Sequence, residues 1–227
     1  MNNAHIFANR TEAGRTLAEK LAEKKYENPV VLALPRGGVP VAIEVARELD
    51  APLDLVLVRK IGVPYQPELA LGAVVDGGHP EVVINEDVRQ ISGVSDEDFE
   101  KVKLRELAEI ERRRGVYLQG RDRIPIKDKT AIVIDDGIAT GATVRAALKA
   151  LRRGKPKKLV LAIAVAPRET IERLQTEVDE IICLETPEPF YAIGLHYRDF
   201  GQVSDEEVVA LLAQSGKQAK EKIAEPR

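Results

Sequence analysis

The chain has 227 residues, 44% of them hydrophobic, which suits one α/β domain with a substantial core. Its 34 basic residues nearly balance 37 acidic ones, for a formal net charge of -3, so it lacks the global basic excess that a nucleic-acid or membrane-surface footprint needs. A single cysteine, Cys183, excludes an intramolecular disulfide and reads as a buried thiol in the apolar run 181–184.

No run approaches the roughly 18 to 20 apolar residues of a membrane span, and the first residues hold no apolar core of a secretion signal. The expectation is a cytoplasmic protein with neither nucleic acid nor membrane as partner. Ala13, Leu17, Ala18 and Leu21 recur at helical spacing and predict an amphipathic helix over residues 11–25, ended by Asn28-Pro29. Residues 30–34 are almost wholly apolar, as a strand covered on both faces would be. A tight loop, 35–40, leads into a helix over 41–49, and 53–58 reads as a second buried strand ending in Arg59-Lys60. Residues 70–76 and 81–85 alternate around Gly77-Gly78-His79-Pro80 and predict a hairpin. Ser95 followed by three acids reads as a helix cap, with a charged helix running to about residue 113. Residues 130–134, 159–165 and 180–184 are further buried strands. Helices are expected from about residue 144, over 167–177 and over 205–212, with a frayed charged tail from 216 to 227.

This alternation predicts a three-layer α/β/α domain over residues 1–215 with a mainly parallel central sheet. Residues 65–115 form an inserted hairpin and helix, a lobe or a lid. Ligands of such sheets sit at the carboxyl ends of the strands, which puts residues 35–38, 59–60, 135–143 and 167–170 on one rim.

The chemistry concentrates in residues 135–143. A buried strand delivers two adjacent carboxylates, Asp135 and Asp136, then a loop of small residues that opens a helix. Amides at a helix start cradle phosphate, Thr140 and Thr143 add hydroxyls, and Gly141 admits close backbone approach. Paired carboxylates at a sheet edge need a cation or hydroxyl groups. Together these features fit a phosphorylated ribose.

The string from Ala131 to Thr143, AIVIDDGIATGAT, resembles the 5-phosphoribosyl-1-pyrophosphate (PRPP) signature of type I phosphoribosyltransferases. The resemblance implies that Asp135 and Asp136 hold the ribose 2- and 3-hydroxyls, directly or through Mg2+. It implies that Ile138, Ala139, Thr140, Gly141, Ala142 and Thr143 hold the 5-phosphate. Leu34 to Pro40 looks like the family's pyrophosphate loop, with Arg36 gripping phosphate oxygens and Gly37 and Gly38 permitting a strained or cis peptide. Arg59 and Lys60 resemble the basic strand end that neutralises pyrophosphate. The implied catalytic set is therefore Arg36, Arg59, Lys60, Asp135 and Asp136.

The implied activity is transfer of phosphoribosyl from PRPP to a nitrogenous, nucleobase-like acceptor, and a homodimer is expected by the same resemblance. The alternative is a PRPP-binding sensor without catalysis. Family enzymes for 6-oxopurines place an acid where this chain has Ala139, which argues against a standard hypoxanthine or guanine enzyme. Residues 186–203 would form a small C-terminal hood, with Phe190 or Tyr191 stacking on the base. His196 stands where the family has an acid near pyrophosphate. Arg112, Arg113 and Arg114 read as a solvated charge run.

Overall fold

The computed structural model describes residues 6–76 and 81–224. In chain order, α1 (Arg10–Ala22), β1 (Pro29–Ala33), α2 (Gly38–Glu48) and β2 (Leu53–Leu55) lead into an excursion. The excursion comprises β3 (Val58–Val63), β4 (Gln66–Val75), β5 (Glu81–Ile84), α3 (Glu86–Ser92) and α4 (Asp96–Leu118). The chain then returns through β6 (Thr130–Asp135), α5 (Ala142–Arg153), β7 (Lys158–Val165), α6 (Arg168–Leu174), β8 (Glu180–Glu185) and α7 (Asp205–Ala224).

The central sheet has the order β2-β1-β6-β7-β8, and each described pairing is parallel. Its strands are apolar on both sides because both faces are covered. Ile132 and Ile134 pack with Leu17, Val41 and Val45 of α1 and α2, while Ala131 and Val133 pack with Val144, Leu148 and Leu151 of α5. This gives the three layers expected from the sequence. β1 lies between β2 and β6, so the loops leaving β1 and β6 diverge and open a crevice at the switch point, where ligands of doubly wound sheets bind.

The expected strand over 53–58 is divided. β2 ends at Leu55, and the chain enters a separate antiparallel sheet of order β3-β4-β5. Buried Asp54 explains the short edge strand: its carboxylate accepts the Leu55 and Ile124 backbone N–H groups. Arg59 and Lys60 thus lie within β3, opposite Val74 and Ala73 of β4, rather than at the end of a parallel strand. β4 and β5 form the expected hairpin arms, while its turn at Gly77-Gly78-His79-Pro80 lies outside the described residues.

Ser95 caps α4, its hydroxyl accepting the Asp98 N–H at 3.1 Å. The helix continues five residues beyond Arg113, to Leu118, because Glu109 pairs with both Arg112 and Arg113 and because Tyr117 and Leu118 are buried. Phe99, Val102 and Ile110 of α4 join the core cluster with Ile61, Leu71 and Val74, so the excursion packs as a lobe sharing the domain core. α7 extends to Ala224, past the expected end near 212 and into the charged tail 216–227, whose last three residues lie outside the described residues. Residues 217–224 are mostly good helix formers, which carries the helix across Gly216. No helix among the described residues is long and apolar enough to cross a membrane.

Candidate functional site

The loop after β6 is fixed at three points. The Ile138 N–H donates to the Val165 carbonyl at 2.9 Å, and the Thr170 hydroxyl donates to the Ala139 carbonyl at 2.7 Å. Gly141 sits at φ +77°, a conformation that disfavours any residue with a Cβ, and a Cβ there would also meet Thr170 at 3.0 Å. α5 therefore starts at Ala142 with Gly141 as its cap and no side chain bonding its first amides. Ala139, Thr140, Ala142 and Thr143 are exposed around that helix start, while Ile138 and Gly141 are buried beneath it. The result is a shallow cup of small residues and hydroxyls at the positive end of a helix.

Asp135 and Asp136 stand at the base of this loop. The Asp135 carboxylate accepts the Asp136 N–H at 2.9 Å. Burial, and next the neighbouring Asp136 charge, push its carboxyl well above the usual carboxylate range. Asp136 is buried, and its Oδ2 accepts from the Arg10 Nε at 2.7 Å. The Tyr197 hydroxyl donates to the Asp136 carbonyl at 2.5 Å. The two acids thus have different environments, one with its carboxyl pushed up by burial and one paired with a cation.

The loop after β1 packs against the same acids. The Pro35-Arg36 peptide is cis. A Cβ on Gly37 would lie 2.1 Å from Asp136 Oδ2, and one on Gly38 would lie 2.7 Å from the Ile134 carbonyl oxygen. Only glycines let the two loops touch. Arg36 points to α7, where its Nη1 lies 3.5 Å from Asp205 Oδ1. The Tyr117 hydroxyl donates to the same oxygen at 2.6 Å, and burial, with that bond next, pushes Tyr117 up to about 12.

Arg59 and Lys60 leave opposite faces of β3. Arg59 Nε and Nη2 both reach Oε2 of buried Glu106 on α4 at 2.8 Å, while Arg105 holds the other oxygen. Lys60 instead lines a cavity of about 350 Å³ that it shares with Thr143, Arg145 and Lys149 of α5 and with Asn85. So the structure groups Arg36, Gly37, Gly38, Asp135, Asp136 and residues 138–143 directly. It sets Lys60 against α5 beside Thr143 and ties Arg59 to the lobe helix.

The segment expected to form a hood, residues 186–203, packs on the acid loop. Ile193 occupies the space that a Cβ on Gly137 would need, at 2.5 Å. The Phe190 ring stacks on His196 with centroids 5.9 Å apart, whereas Tyr191 is 77% exposed. His196 is buried; burial lowers its pKa, and its Nδ1 has no hydrogen-bond partner among the described residues. Cys183 is half-buried, its thiol donating to the Glu185 carbonyl and pushed up to about 12 by burial.

Sequence reasoning did not identify Arg10, Tyr197, Tyr117 or Asp205. Their partners are 126, 61, 88 and more than a hundred residues away in sequence, and no local pattern marks them. Thr170 was placed on the rim, though not as a brace of the loop.

Residues 3–198 match the family model of the phosphoribosyl transferase domain. The chain belongs to the phosphoribosyl transferase family. It is 47% identical over 207 residues to a Mycobacterium tuberculosis protein provisionally assigned as a phosphoribosyl transferase, covering 91% of this chain and 46% of that one. It therefore spans about half the length of those curated relatives. An amidophosphoribosyltransferase of Mycobacterium bovis is 30% identical over 162 residues, 71% of this chain and 23% of that one. The crystal structure of TT1426 from Thermus thermophilus superposes with a TM-score of 0.81 at 42% identity, covering 92% of this chain and 98% of that chain. In this phosphoribosyl transferase domain α7, which supplies Asp205 to Arg36, lies beyond the residues the family model matches.

Proposed function

We propose that this domain binds PRPP in the crevice between the β1 and β6 loops and transfers its 5-phosphoribosyl group to a nitrogenous acceptor, releasing pyrophosphate. The observation that carries the reading is the contact between Gly37 and the Asp136 carboxylate, 2.1 Å for a Cβ. It packs the Arg36 loop against the acid pair, which leads directly into the helix start at Ala142, and this supports one shared site for pyrophosphate, diol and phosphate.

In this reading the first amides of α5 and the hydroxyls of Thr140 and Thr143 bind the 5-phosphate. Asp136 accepts from a ribose hydroxyl while Arg10 orients it, with Asp135 beside it. Arg36 and Lys60 take the charge that gathers on the departing pyrophosphate. Arg59 serves the same end only after leaving Glu106. Tyr191, the exposed aromatic of the hood, offers a face to a planar acceptor, since Phe190 already stacks on His196.

The donors fit Mg2+ in its usual enzyme mode, in which one or two carboxylates bind an ion that takes other ligands from water and substrate phosphates. Asp135 and Asp136 would hold it. Bound there, magnesium supplies charge neutralisation for pyrophosphate.

Calorimetric titration of PRPP, with and without magnesium, tests the reading, with the Asp135→Asn, Asp136→Asn double variant as control. Micromolar, magnesium-dependent binding that the variant loses supports the assignment. Folded wild-type protein that takes up no PRPP sinks it. The second reading, a PRPP sensor, is favoured by one observation: Arg36 and Arg59 are already engaged by Asp205 and Glu106. A sensor binds PRPP but yields no pyrophosphate across a panel of nucleobases and amines.

A further inference from the structure

Arg10 opens α1 and has no part in the strand–loop–helix pattern that marks the site. It nevertheless occupies the centre of a closed set of contacts. Its Nε donates to Asp136 Oδ2 at 2.7 Å, and its Nη1 donates to the Gly201 carbonyl, also at 2.7 Å. Its guanidinium carbon lies 3.9 Å above the centre of the Phe200 ring. Phe200 stacks on Tyr197 with centroids 4.9 Å apart, and the Tyr197 hydroxyl returns to the Asp136 carbonyl. The circuit therefore begins and ends on Asp136, once through its side chain and once through its backbone.

The surroundings hold this circuit in place. The Asn9 side chain caps α1 by accepting the Glu12 N–H, which fixes where Arg10 departs. Backbone bonds from Phe7 to the His196 carbonyl, and from Arg198 and Asp199 to the Phe7 and Ala8 carbonyls, stitch the segment before α1 to the hood. Gly194 leaves room for Phe200, because a Cβ there would meet its ring at 2.9 Å. The Arg10 and Asp136 side chains keep only 12% and 11% of their exposure. A charge pair this enclosed is strong in one geometry and costly in any other. Lysine has neither the second arm for Gly201 nor the flat face for Phe200.

We propose that Arg10 is a positioning residue, which sets the Asp136 carboxylate for the ribose hydroxyls and ties that setting to the hood segment at 197–201. The proposal rests on the PRPP reading above. It goes beyond it by placing a residue of the first helix in the sugar site, and by making the order of the acceptor-side segment depend on the state of the sugar-side carboxylate.

The test is a double-mutant cycle on the full chain, with PRPP affinity read by calorimetry in the presence of magnesium and thermal midpoints measured alongside. Arg10→Met weakens PRPP binding on the order of tenfold or more in the wild-type background, the range of one charge-assisted hydrogen bond. In the Asp136→Asn background the same change costs less than about threefold, because the group it positions is gone. Arg10→Lys recovers part of the affinity. Hydrogen exchange adds a second readout: PRPP slows exchange of the Tyr197 to Gly201 amides in the wild type and not in Arg10→Met. Equal losses in both backgrounds, with equal exchange protection, mark Arg10 as a structural brace and overturn the proposal. Should Arg10→Met not fold, Arg10→Lys carries the cycle, and unchanged PRPP affinity in it overturns the proposal. Wild-type protein that binds no PRPP removes the functional reading and this inference with it, an outcome distinct from additivity in a protein that does bind.

Discussion

Replacing Gly37 by alanine isolates the contact on which the site reading depends. Gly37 has φ -61° and ψ -33°, a conformation alanine adopts without strain, so the perturbation is steric alone. The added methyl would stand 2.1 Å from Asp136 Oδ2, 2.6 Å from its Cγ and 2.9 Å from Oδ1. Ordinary contact begins near 3.4 Å, so one of the two loops must retreat by more than an ångström. Asp136 cannot yield cheaply, since Arg10 holds its side chain and Tyr197 its carbonyl. Overpacking of this kind costs about 1–3 kcal/mol. For a chain of this size that lowers the thermal midpoint by roughly 2–12 °C. An Asp136 displaced by that distance also loses its hydrogen bond to a ribose hydroxyl, which for a charged acceptor is about 1.5–3 kcal/mol, or roughly ten- to a hundredfold in PRPP affinity. Gly115→Ala is the matched control. Gly115 is an exposed residue inside α4 with nothing within 4 Å of its Cβ position, so alanine stabilises the helix by about 0.5–1 kcal/mol and leaves PRPP binding unchanged. Calorimetry and thermal unfolding on the two variants decide the matter. A Gly37→Ala protein with wild-type midpoint and wild-type PRPP affinity would refute the claim that the Arg36 loop and Asp136 share one tightly packed rim.

Three further outcomes follow from the same geometry. Tyr197→Phe keeps the ring stack but withdraws the donor from the Asp136 carbonyl; a loss of about 1–3 kcal/mol by denaturant titration is expected, and a neutral substitution would show that the carbonyl finds water instead. Glu106→Gln releases Arg59 from a carboxylate while preserving shape, so PRPP binding tightens if Arg59 serves pyrophosphate, whereas a lower thermal midpoint with unchanged affinity identifies Arg59 as a brace between β3 and α4. Burial holds His196 below its ordinary value near 6.5, so the folded state binds fewer protons than the unfolded state and stability is lost as pH falls from that value through the folded pKa. His196→Gln flattens that limb of the stability profile, and an identical slope in the variant assigns the acid sensitivity to other groups.

The parallel sheet and its ligand edge were legible because each buried strand is a short apolar run that stops at small or turn-forming residues. The β6 loop was legible for the same reason, with its acids, threonines and Gly141 consecutive in sequence. The edge at β2 was not, because the apolar run 53–58 continues smoothly past Leu55 while the strand stops. What stops it is a tertiary event, the capture of the Ile124 N–H by Asp54 across 70 residues. That break has a consequence for function. Arg59 and Lys60 read as one basic pair, but within β3 they diverge, one to Glu106 of the lobe and one toward Thr143 at the start of α5.

The same contrast holds for the charges around the site. Asp135, Asp136 and Arg36 stand out locally because a charge at the end of a buried strand needs a reason. The groups that pair with the charges singled out in the sequence come from the first helix, the lobe and the last helix: Arg10 for Asp136, Glu106 for Arg59, Asp205 for Arg36. Two of these three place an internal carboxylate on an arginine that the proposed PRPP reading gives to pyrophosphate, and on that reading an incoming pyrophosphate competes with side chains already there. Such competition favours a ligand with several negative charges over one with few, since only the former displaces a carboxylate at each arginine. On that reading the lobe and α7 bear on selectivity through the arginines they hold, and Glu106 and Asp205 become legible as partners only once the fold has brought them to Arg59 and Arg36.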